Sequence, residues 1–445
     1  MEKLGKNVEG REIPMGVRRV LLVTASFVPV FLADMQRARM LAASLPGVGC
    51  EVEVLTVSRG FYPEEAMDPD GARLEVYGVQ VHEVEPEWER GFRLLGVGSV
   101  GWRAFWPVYR EGIRLLESGR FDLVYISTAQ FAFFCLGRLW NERTGIPYVL
   151  DVHDPWVKPR GAQVNTRHRW KHAVQMILAG PLEAYAFRRA AGVVAVSPEY
   201  LDRLKRRLGG MRCFEAGRAR VIPFGVLPSD VELGRELASQ RGSQWGSKGA
   251  VVVYTGAGGG IMALAFERIC RAWAELRRHT SDCNVALKLY GTQGGWREGD
   301  PKLLEEIAVR HGLGDLVAEY PRRIGYVKTL ELVAAADGLM VFGVEDPGYM
   351  PSKLFPYGWT GKPLLACLHA DSEAAECFRR WPDLGQLLTF PGDGEGDVER
   401  VREFFGRVHS GRREERSWIL EEHGSEAMAR AHRELFEECV RGGAG

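Results

Sequence analysis

The sequence lacks the motifs that identify several large classes of enzyme. Its eight cysteines include no CxxC pair and form no dense framework, which disfavours a disulfide scaffold and a zinc ribbon. It also has no HExxH, no Walker A lysine loop and no GxSxG elbow, which disfavours a zinc hydrolase, an NTPase and a serine esterase. The glycines of GAGGGI, residues 256–261, lack the GxGxxG spacing, so a dehydrogenase is not expected.

Net charge and long apolar runs are also missing. The chain carries 58 basic and 58 acidic side chains, which argues against bulk binding of nucleic acid. No window approaches the roughly 20 apolar residues that span a bilayer. The first sixteen residues are polar, lack the apolar middle of a signal peptide, and are interpreted as a flexible arm. Together with scattered cysteines that we take to be free thiols, this predicts a cytoplasmic protein, at most peripheral to a membrane.

Two series of short apolar runs alternate with segments of helical period, which is typical of βα units around parallel sheets. The chain of 445 residues is also long enough for two cores. The runs of the first series are residues 18–25, 50–57, 122–127, 147–152, 192–197 and 219–224. Those of the second are residues 250–256, 285–291, 318–327, 338–343, 362–368 and 386–390. We therefore predict an α/β protein with two doubly wound, Rossmann-like domains that face each other across a cleft.

A polar stretch at 228–247 marks the junction between the two series. The predicted first domain is accordingly 17–228 and the second is 229–410. Helices over 411–445 complete the chain, and we expect them to cross back to the first domain. In open parallel sheets ligands bind beyond the carboxyl ends of the strands, so the residues that follow each strand are the candidate site residues.

The block at 338–366 carries the strongest functional signal. A predicted strand ends near Gly343, and PSKLF then opens a helix that stops before Gly361. Ser352 stands where an N-cap is expected, with Lys353 beside it in the first turn. Free backbone amides, a hydroxyl and an ammonium at one helix start would form a phosphate site. An ordinary capped surface helix is the alternative.

This block resembles the nucleotide-binding segment of family-4-type glycosyltransferases with the GT-B fold, through AADGLMVFG and SKLFPYGWTGKPLLA. TGIPYVLDVHDPW also resembles the DFRDPW element of a bacterial branch of that family. Further similar segments, in the expected order, are RRVLLVTASFVPV, AGVVAVSPEYLDRL, VIPFGV and VVYTGA. The resemblance implies a two-domain cleft in which a helix start holds the diphosphate of a sugar nucleotide.

Carried onto this sequence, the resemblance assigns Ser352 and Lys353 to the donor phosphates. It expects the backbone to approach the donor at four glycines, Gly256, Gly258, Gly259 and Gly325. The family's ribose-binding glutamate is replaced here by Pro356, and Glu345 or Asp346 would have to supply the lost contact. The basic residue common after the first strand of the second domain is also absent, and GAGGGIMALAFER offers no base before Arg268.

The cluster at the end of VLDVHDPW, residues 149–156, supplies the candidate catalytic residues. Pro155 lacks a backbone donor, so the strand should stop near His153 and leave polar groups at its end. Asp151, His153 and Asp154 would then face the reacting sugar carbon and take the proton of an acceptor hydroxyl. The alternative is a satisfied strand-end network that serves structure alone.

Two basic groups are candidates for binding an anionic acceptor. Arg167, Arg169 and Lys171 crowd the amino end of a predicted helix, against the preference of the helix dipole for negative charge. An anionic acceptor, a lipid phosphate or a membrane surface would relieve that arrangement, and a solvated basic face is an equal alternative. Arg37 lies after the first strand, where it would hold phosphate or acceptor or else form a salt bridge.

These observations predict a glycosyltransferase of hexosyl type that uses a nucleotide sugar, with retention as the resemblance implies. No cofactor and no metal are expected, since Lys353 and helix dipoles can supply the positive potential. The alternatives are a non-catalytic GT-B relative that binds a glycan, a nucleotide or a partner protein, and a sugar-nucleotide epimerase. The sequence names neither the sugar nor the acceptor.

Overall fold

The architecture comes from a computed structural model of the chain. It describes residues 17–32, 34–74, 76–87, 99–157, 169–241, 249–280 and 285–442, with the backbone alone for 169–176 and 241. The predicted arm at 1–16 lies outside these ranges.

The first sheet has seven parallel strands in the order β3-β2-β1-β4-β5-β6-β7. Its strands are β1 (Arg19–Val23), β2 (Glu51–Val57), β3 (Gln80–Val84), β4 (Leu123–Ser127), β5 (Tyr148–Val152), β6 (Gly192–Ala195) and β7 (Ala219–Val221). Its helices are α1 (Met35–Ser44), α2 (Val100–Arg103), α3 (Phe105–Leu116), α4 (Phe134–Thr144), α5 (Arg169–Phe187), α6 (Pro198–Leu208) and α7 (Arg212–Glu215). The order of strands reverses between β1 and β4, which opens a crevice at their carboxyl ends.

The second sheet has six parallel strands in the order β10-β9-β8-β11-β12-β13. They are β8 (Ala250–Thr255), β9 (Val285–Tyr290), β10 (Val317–Tyr320), β11 (Gly338–Phe342), β12 (Leu364–His369) and β13 (Gln386–Phe390). The helices from the junction onward are α8 (Pro228–Arg241), α9 (Ala263–His279), α10 (Leu303–Arg310), α11 (Tyr326–Ala335), α12 (Leu354–Trp359), α13 (Glu373–Arg380), α14 (Asp397–Ser410), α15 (Trp418–His423) and α16 (Ser425–Arg441). The reversal here lies between β8 and β11, so the predicted fold is confirmed.

Both faces of the first sheet are covered by helices, which explains why its strands are almost continuously apolar. Leu21 and Val23 of β1 pack into a core on one face. Val20 and Leu22 pack into a separate core on the other face, together with residues of α1 and α16. This alternation follows from the two-residue period of a strand.

The apolar runs of the sequence did not predict β3, and the run that includes β10 was predicted to be too long. β3 is an edge strand with Gln80 and Val81 exposed, so its side chains do not form an apolar run. The run predicted at 318–327 is divided between β10 and the start of α11, because the loop and Gly325 end the strand after Tyr320.

Polar contacts join the two domains on both sides of the cleft. Arg203 of α6 makes a bidentate pair with Asp346, with N–O distances of 2.7 and 2.9 Å. Ser197 Oγ donates to the carbonyl oxygen of Gly348 at 2.7 Å. α16 returns to the first domain, where His432 Nε2 lies 2.9 Å from Tyr125 Oη. The first two contacts join the two domains, and the third packs the last helix against β4.

In the part of the chain that the structure describes, no helix combines the length and apolarity needed to cross a bilayer.

Candidate functional site

A cleft with a volume of about 790 Å³ lies between the carboxyl ends of the two sheets. Its first-domain wall includes Asp34, Gln130, His153 and Asp154. Its second-domain wall includes Gly256, Arg323, Ser352 and Lys353. The topological switch points of both sheets therefore open into one space, and the cleft brings the predicted catalytic and donor segments together.

His153 is positioned by a buried network at the end of β5. Its Nε2 lies 2.6 Å from Asp151 Oδ2 and 3.1 Å from Ser127 Oγ. Because an ionised carboxylate only accepts hydrogen bonds, we place the ring proton on Nε2. Nδ1 is buried and has no hydrogen-bond partner among the described residues. His153 itself borders the cleft.

Asp151 does not face the cleft, contrary to the prediction. Its side chain is fully buried, and Ser127 Oγ donates to it at 2.8 Å. Burial alone would raise the pKa of Asp151, but the charges of Arg37 and then His153 outweigh burial and hold that pKa well below its usual range. Asp151 is therefore a buried carboxylate that orients His153.

Arg37 is also buried, which rules out the predicted role in binding an acceptor or anion in the cleft. Its Nε lies 3.3 Å from Asp151 Oδ2, and Nη2 donates to the carbonyl oxygen of Ile222 at 2.6 Å. The guanidinium also lies 4.8 Å from the centre of the Phe224 ring. α1 turns this side chain inward beneath β5, so the salt bridge that was the alternative interpretation is the one observed.

Two carboxylates do line the cleft, and both belong to the first-domain wall. Asp154 is exposed, as predicted for a residue that meets a substrate. Asp34 was not predicted. Ser26 and Thr128 donate to its two oxygens at 2.5 and 2.8 Å, which keeps it fixed at the start of α1. The sequence signal that could have identified Asp34 is its acidic side chain in the loop between β1 and α1.

Lys353 occupies the predicted position on the opposite wall. Its Nζ donates to the carbonyl oxygen of Thr255 and lies 4.0 Å from the centre of the Tyr254 ring. A Cβ at Gly256 would lie 2.3 Å from that Nζ, so only glycine leaves room for the ammonium. Burial lowers the pKa of Lys353 to about 7. A bound anion would favour the charged form and supply the counter-charge that the site lacks.

Ser352 lines the cleft but is not the N-cap of the helix. α12 begins at Leu354, its N-cap residue is Lys353, and no side chain caps it. The prediction of a Ser352 cap is therefore wrong, because residues 351–353 form a turn in which Leu354 N donates to the carbonyl oxygen of Pro351 at 3.0 Å. The helix does stop before Gly361, as expected.

The other predicted donor glycines do not line the cleft. A Cβ at Gly258 would lie 2.2 Å from Met262 Sδ, and Gly259 has a left-handed φ of +42°. Gly325 contacts the first domain, because a Cβ there would lie 2.7 Å from Asp68 Oδ1. These three glycines shape loops, and Gly256 is the predicted one that borders the cleft.

Glu345 and Asp346 do not supply a ribose contact either. Glu345 is exposed outside the cleft lining. Asp346 is engaged by Arg203, and its Oδ1 also accepts from Gly348 N at 2.8 Å. Pro356 does line the cleft. The space beside Pro356 is therefore left without either of the two carboxylates that were expected to compensate for it.

The predicted basic group at 167–171 cannot be assessed. Arg167 lies outside the described residues, and α5 is described only by its backbone at Arg169 and Lys171.

Arg323 is a cleft residue that the sequence did not indicate. It lies in the loop after β10, where its Nη2 donates to the carbonyl oxygen of Phe31 and its guanidinium lies 5.1 Å from the centre of the Phe31 ring. The resemblance expected a basic residue in the loop after β8. Arg323 supplies one to the cleft from the loop after β10. No sequence spacing connects 323 with 353, so only the fold could show this.

Among the described residues, no group of three or more histidine, cysteine or acidic side chains is placed to hold a metal. The expectation that no metal and no cofactor are needed stays a prediction.

Comparisons with known proteins agree with this architecture. Residues 35–225 match the family model described as "Glycosyl transferase 4-like domain". The structure of Anabaena HepE in complex with UDP is 16% identical, with a TM-score of 0.59 over 94% of this chain and 98% of that one. Sucrose-phosphate synthase from Thermosynechococcus elongatus is 14% identical, with a TM-score of 0.60 over 96% and 100%.

A third similar structure is an α,α-trehalose-phosphate synthase (UDP-forming) from Burkholderia xenovorans in complex with glucose-6-phosphate. It is 12% identical, with a TM-score of 0.56 over 94% of this chain and 100% of that one. No curated protein matches the sequence at a significant level. At such identities the structural likeness shows the fold alone. The chain thus has the GT-B fold, and its residues 35–225 match the model of a glycosyl transferase 4-like domain.

Proposed function

We propose that the protein transfers a sugar from a nucleotide-sugar donor to an acceptor bound in the same cleft. The observation that carries the proposal is the convergence of His153 and Asp154 with Ser352 and Lys353 on one space between the sheets. That space has its two acids on the first-domain wall, while Arg323 and Lys353 supply positive charge to the other. This polarity suits a ligand whose anionic end contacts the second domain.

The donor diphosphate would lie against Lys353 and Arg323. Glycosyl transfer separates the sugar from a diphosphate, so charge on the leaving phosphate grows as the bond to the anomeric carbon breaks. A cation already fixed in a water-poor site stabilises that charge without reorganising. Gly256 allows the Lys353 ammonium to sit directly against the backbone of the β8 loop.

The acceptor hydroxyl would donate to His153 Nδ1. As the new bond to the anomeric carbon forms, that nitrogen takes the hydroxyl proton, and Asp151 stabilises the resulting imidazolium. The low pKa of Asp151 keeps its carboxylate ionised throughout this step. The resemblance implies retention and a hexosyl donor. The anomeric configuration of a product would test retention.

The decisive assay follows the release of nucleoside diphosphate from a panel of nucleotide sugars. We expect one donor to be hydrolysed slowly, and Lys353→Ala to abolish this turnover. Lys302→Ala is the matched control, because Lys302 pairs with Glu305 and does not line the cleft. His153→Gln should lower kcat by about 10²–10⁴-fold, as expected for loss of a general base, while leaving donor affinity nearly unchanged.

The alternative of a non-catalytic relative is favoured by one observation, the proline at position 356 in the cleft lining. Tight binding of a glycan or nucleotide without turnover of any donor would support that alternative and contradict the proposed transfer. Turnover that persists in Lys353→Ala would contradict the assigned donor site.

A further inference from the structure

The cleft continues beyond the donor site into a space between α8, α11 and α12. Uncharged residues of these helices and the C-cap residue of α12 line this space: Ala238, Thr329, Val333, Ala334, Pro356 and Thr360. Three basic residues complete its lining, namely Arg235 of α8, Lys362 before β12 and Arg413 after α14. We call these three residues and the space they border the basic lobe.

Lys362 is the buried centre of the basic lobe. Its side chain is only 3% exposed, and its Nζ donates to the carbonyl oxygens of Ala334, at 2.8 Å, and Ala336. Burial, with the neighbouring charges of Arg413 and Arg235, lowers the pKa of Lys362 to about 8 against the opposing charge of Asp337. Lys362 therefore carries its charge where burial makes it costly, whereas Arg235 and Arg413 are exposed at the border of the same space.

Nearby acids offset the charge of the lobe only in part, through the effect of Asp337 on Lys362. Asp337 Oδ2 accepts from the backbone N of Val251 at 2.7 Å, and Glu414 lies 3.5 Å from Arg412. Within the described parts of the chain, Arg235 and Arg413 form no ion pair with an acidic side chain. The cleft acids, Asp34 and Asp154, belong to the opposite wall. Three like charges therefore border one space, and the described residues that line it include no carboxylate.

The basic lobe and Lys353 lie at opposite ends of α12. The seven helical steps from Lys353 to Thr360 span roughly 10 Å along the backbone. A phosphoryl group that contacts Lys353 would therefore leave the basic lobe unneutralised.

We propose that the basic lobe is a second anion subsite of the cleft, and that it binds a phosphoryl group. Guanidinium groups bind the oxygens of phosphate in a bidentate manner, and two of them meet here beside a buried ammonium. The phosphoryl group has two sources, a separate phosphate-bearing molecule or an additional phosphate of the ligand that occupies the donor site. A carboxylate at position 356 would repel either one, whereas the proline there does not.

The test measures binding of inorganic phosphate by isothermal titration calorimetry in a Lys353→Ala background, which removes the cation of the donor site. We expect phosphate to bind this variant. Adding Arg235→Gln and Arg413→Gln should weaken that binding at least tenfold. Adding Arg402→Gln and Arg412→Gln instead should leave it unchanged, because this control pair removes the same charge from exposed positions outside the cleft.

The source of the phosphoryl group is distinguished by titrating phosphate into the wild-type protein saturated with UDP and, separately, with a nucleotide that carries a further phosphate on its ribose. Phosphate binding in the presence of both nucleotides indicates a separate molecule. Binding that persists with UDP and is blocked by the ribose-phosphorylated nucleotide indicates an additional phosphate of the donor-site ligand, and loss of binding with UDP alone would contradict a subsite distinct from Lys353. No phosphate binding by Lys353→Ala below about 10 mM, or binding insensitive to loss of the two arginines, would overturn the proposal. The measurement needs no turnover, so it can succeed or fail independently of the proposed transfer.

Discussion

Lys353 should make the binding of a nucleoside diphosphate weaken as the pH rises above neutrality. Burial lowers the pKa of this ammonium to about 7 in the ligand-free protein. A diphosphate beside it favours the charged form, so the pKa in the complex rises. Binding therefore takes up a proton at any pH above the pKa of the ligand-free lysine. A higher pH weakens binding because it opposes that uptake.

The size of the effect follows from the protonated fraction of the ligand-free lysine. If the complex restores a pKa near the ordinary value of about 10.4, the affinity is proportional to that fraction. The fraction falls from about one quarter at about pH 7.5 to about 1% at about pH 9, which predicts roughly 20-fold weaker binding, or about 1.8 kcal/mol. Terminal phosphate ionises near pH 6, so the charge of the nucleotide is nearly constant over this range.

The assay is calorimetric titration of the nucleoside diphosphate that binds, at both pH values and in two buffers with different ionisation enthalpies. The wild-type protein should show the loss of affinity together with proton uptake that approaches one per site at alkaline pH. Lys353→Gln should bind weakly with no such slope, while the Lys302→Gln control keeps it. A wild-type affinity that changes less than about threefold, or a slope that survives in Lys353→Gln, would refute the reasoning.

Two further predictions concern the packing of the site. Gly256→Ala places a Cβ 2.3 Å from Lys353 Nζ on a backbone with φ of +130°, so diphosphate affinity should fall about tenfold while circular dichroism shows an intact fold. Gly210→Ala, where a Cβ meets no atom within 4 Å, is the control. Asp151→Asn leaves the buried Arg37 without a charged partner, so urea unfolding should report a loss of about 3–5 kcal/mol. A loss below about 1 kcal/mol would show that this pair is not needed for stability.

The positions of the central strands were predictable because each such parallel strand is buried on both faces and therefore reads as an apolar run. β4, Leu123–Ser127, is fully buried and was recognised in this way. β3 was missed because it lies at the sheet edge, where most of its side chains are exposed or only partly buried. Apolar runs therefore predict central strands well and edge strands poorly.

Local spacing also located the two halves of the site. Strand ends place residues on the cleft, which is why His153 and Lys353 lie where they were expected. The strand-end rule was wrong for Asp151, whose side chain is fully buried. The helix-start pattern was wrong for the cap assigned to Ser352. A strand end indicates the edge of the sheet at which a residue lies, but the packing of neighbouring helices decides whether its side chain reaches solvent.

The sequence by itself determined the fold, the two strand-end segments that carry the site and the substitution of proline at position 356, because each is expressed in residues adjacent along the chain. Only the tertiary structure decided that Arg37 is buried against Asp151, while Arg323 reaches the cleft from another loop. It alone assembled the basic lobe, whose three cations come from distant segments. Charge acts through space, and the distances between such side chains are set by helix packing that no local pattern records.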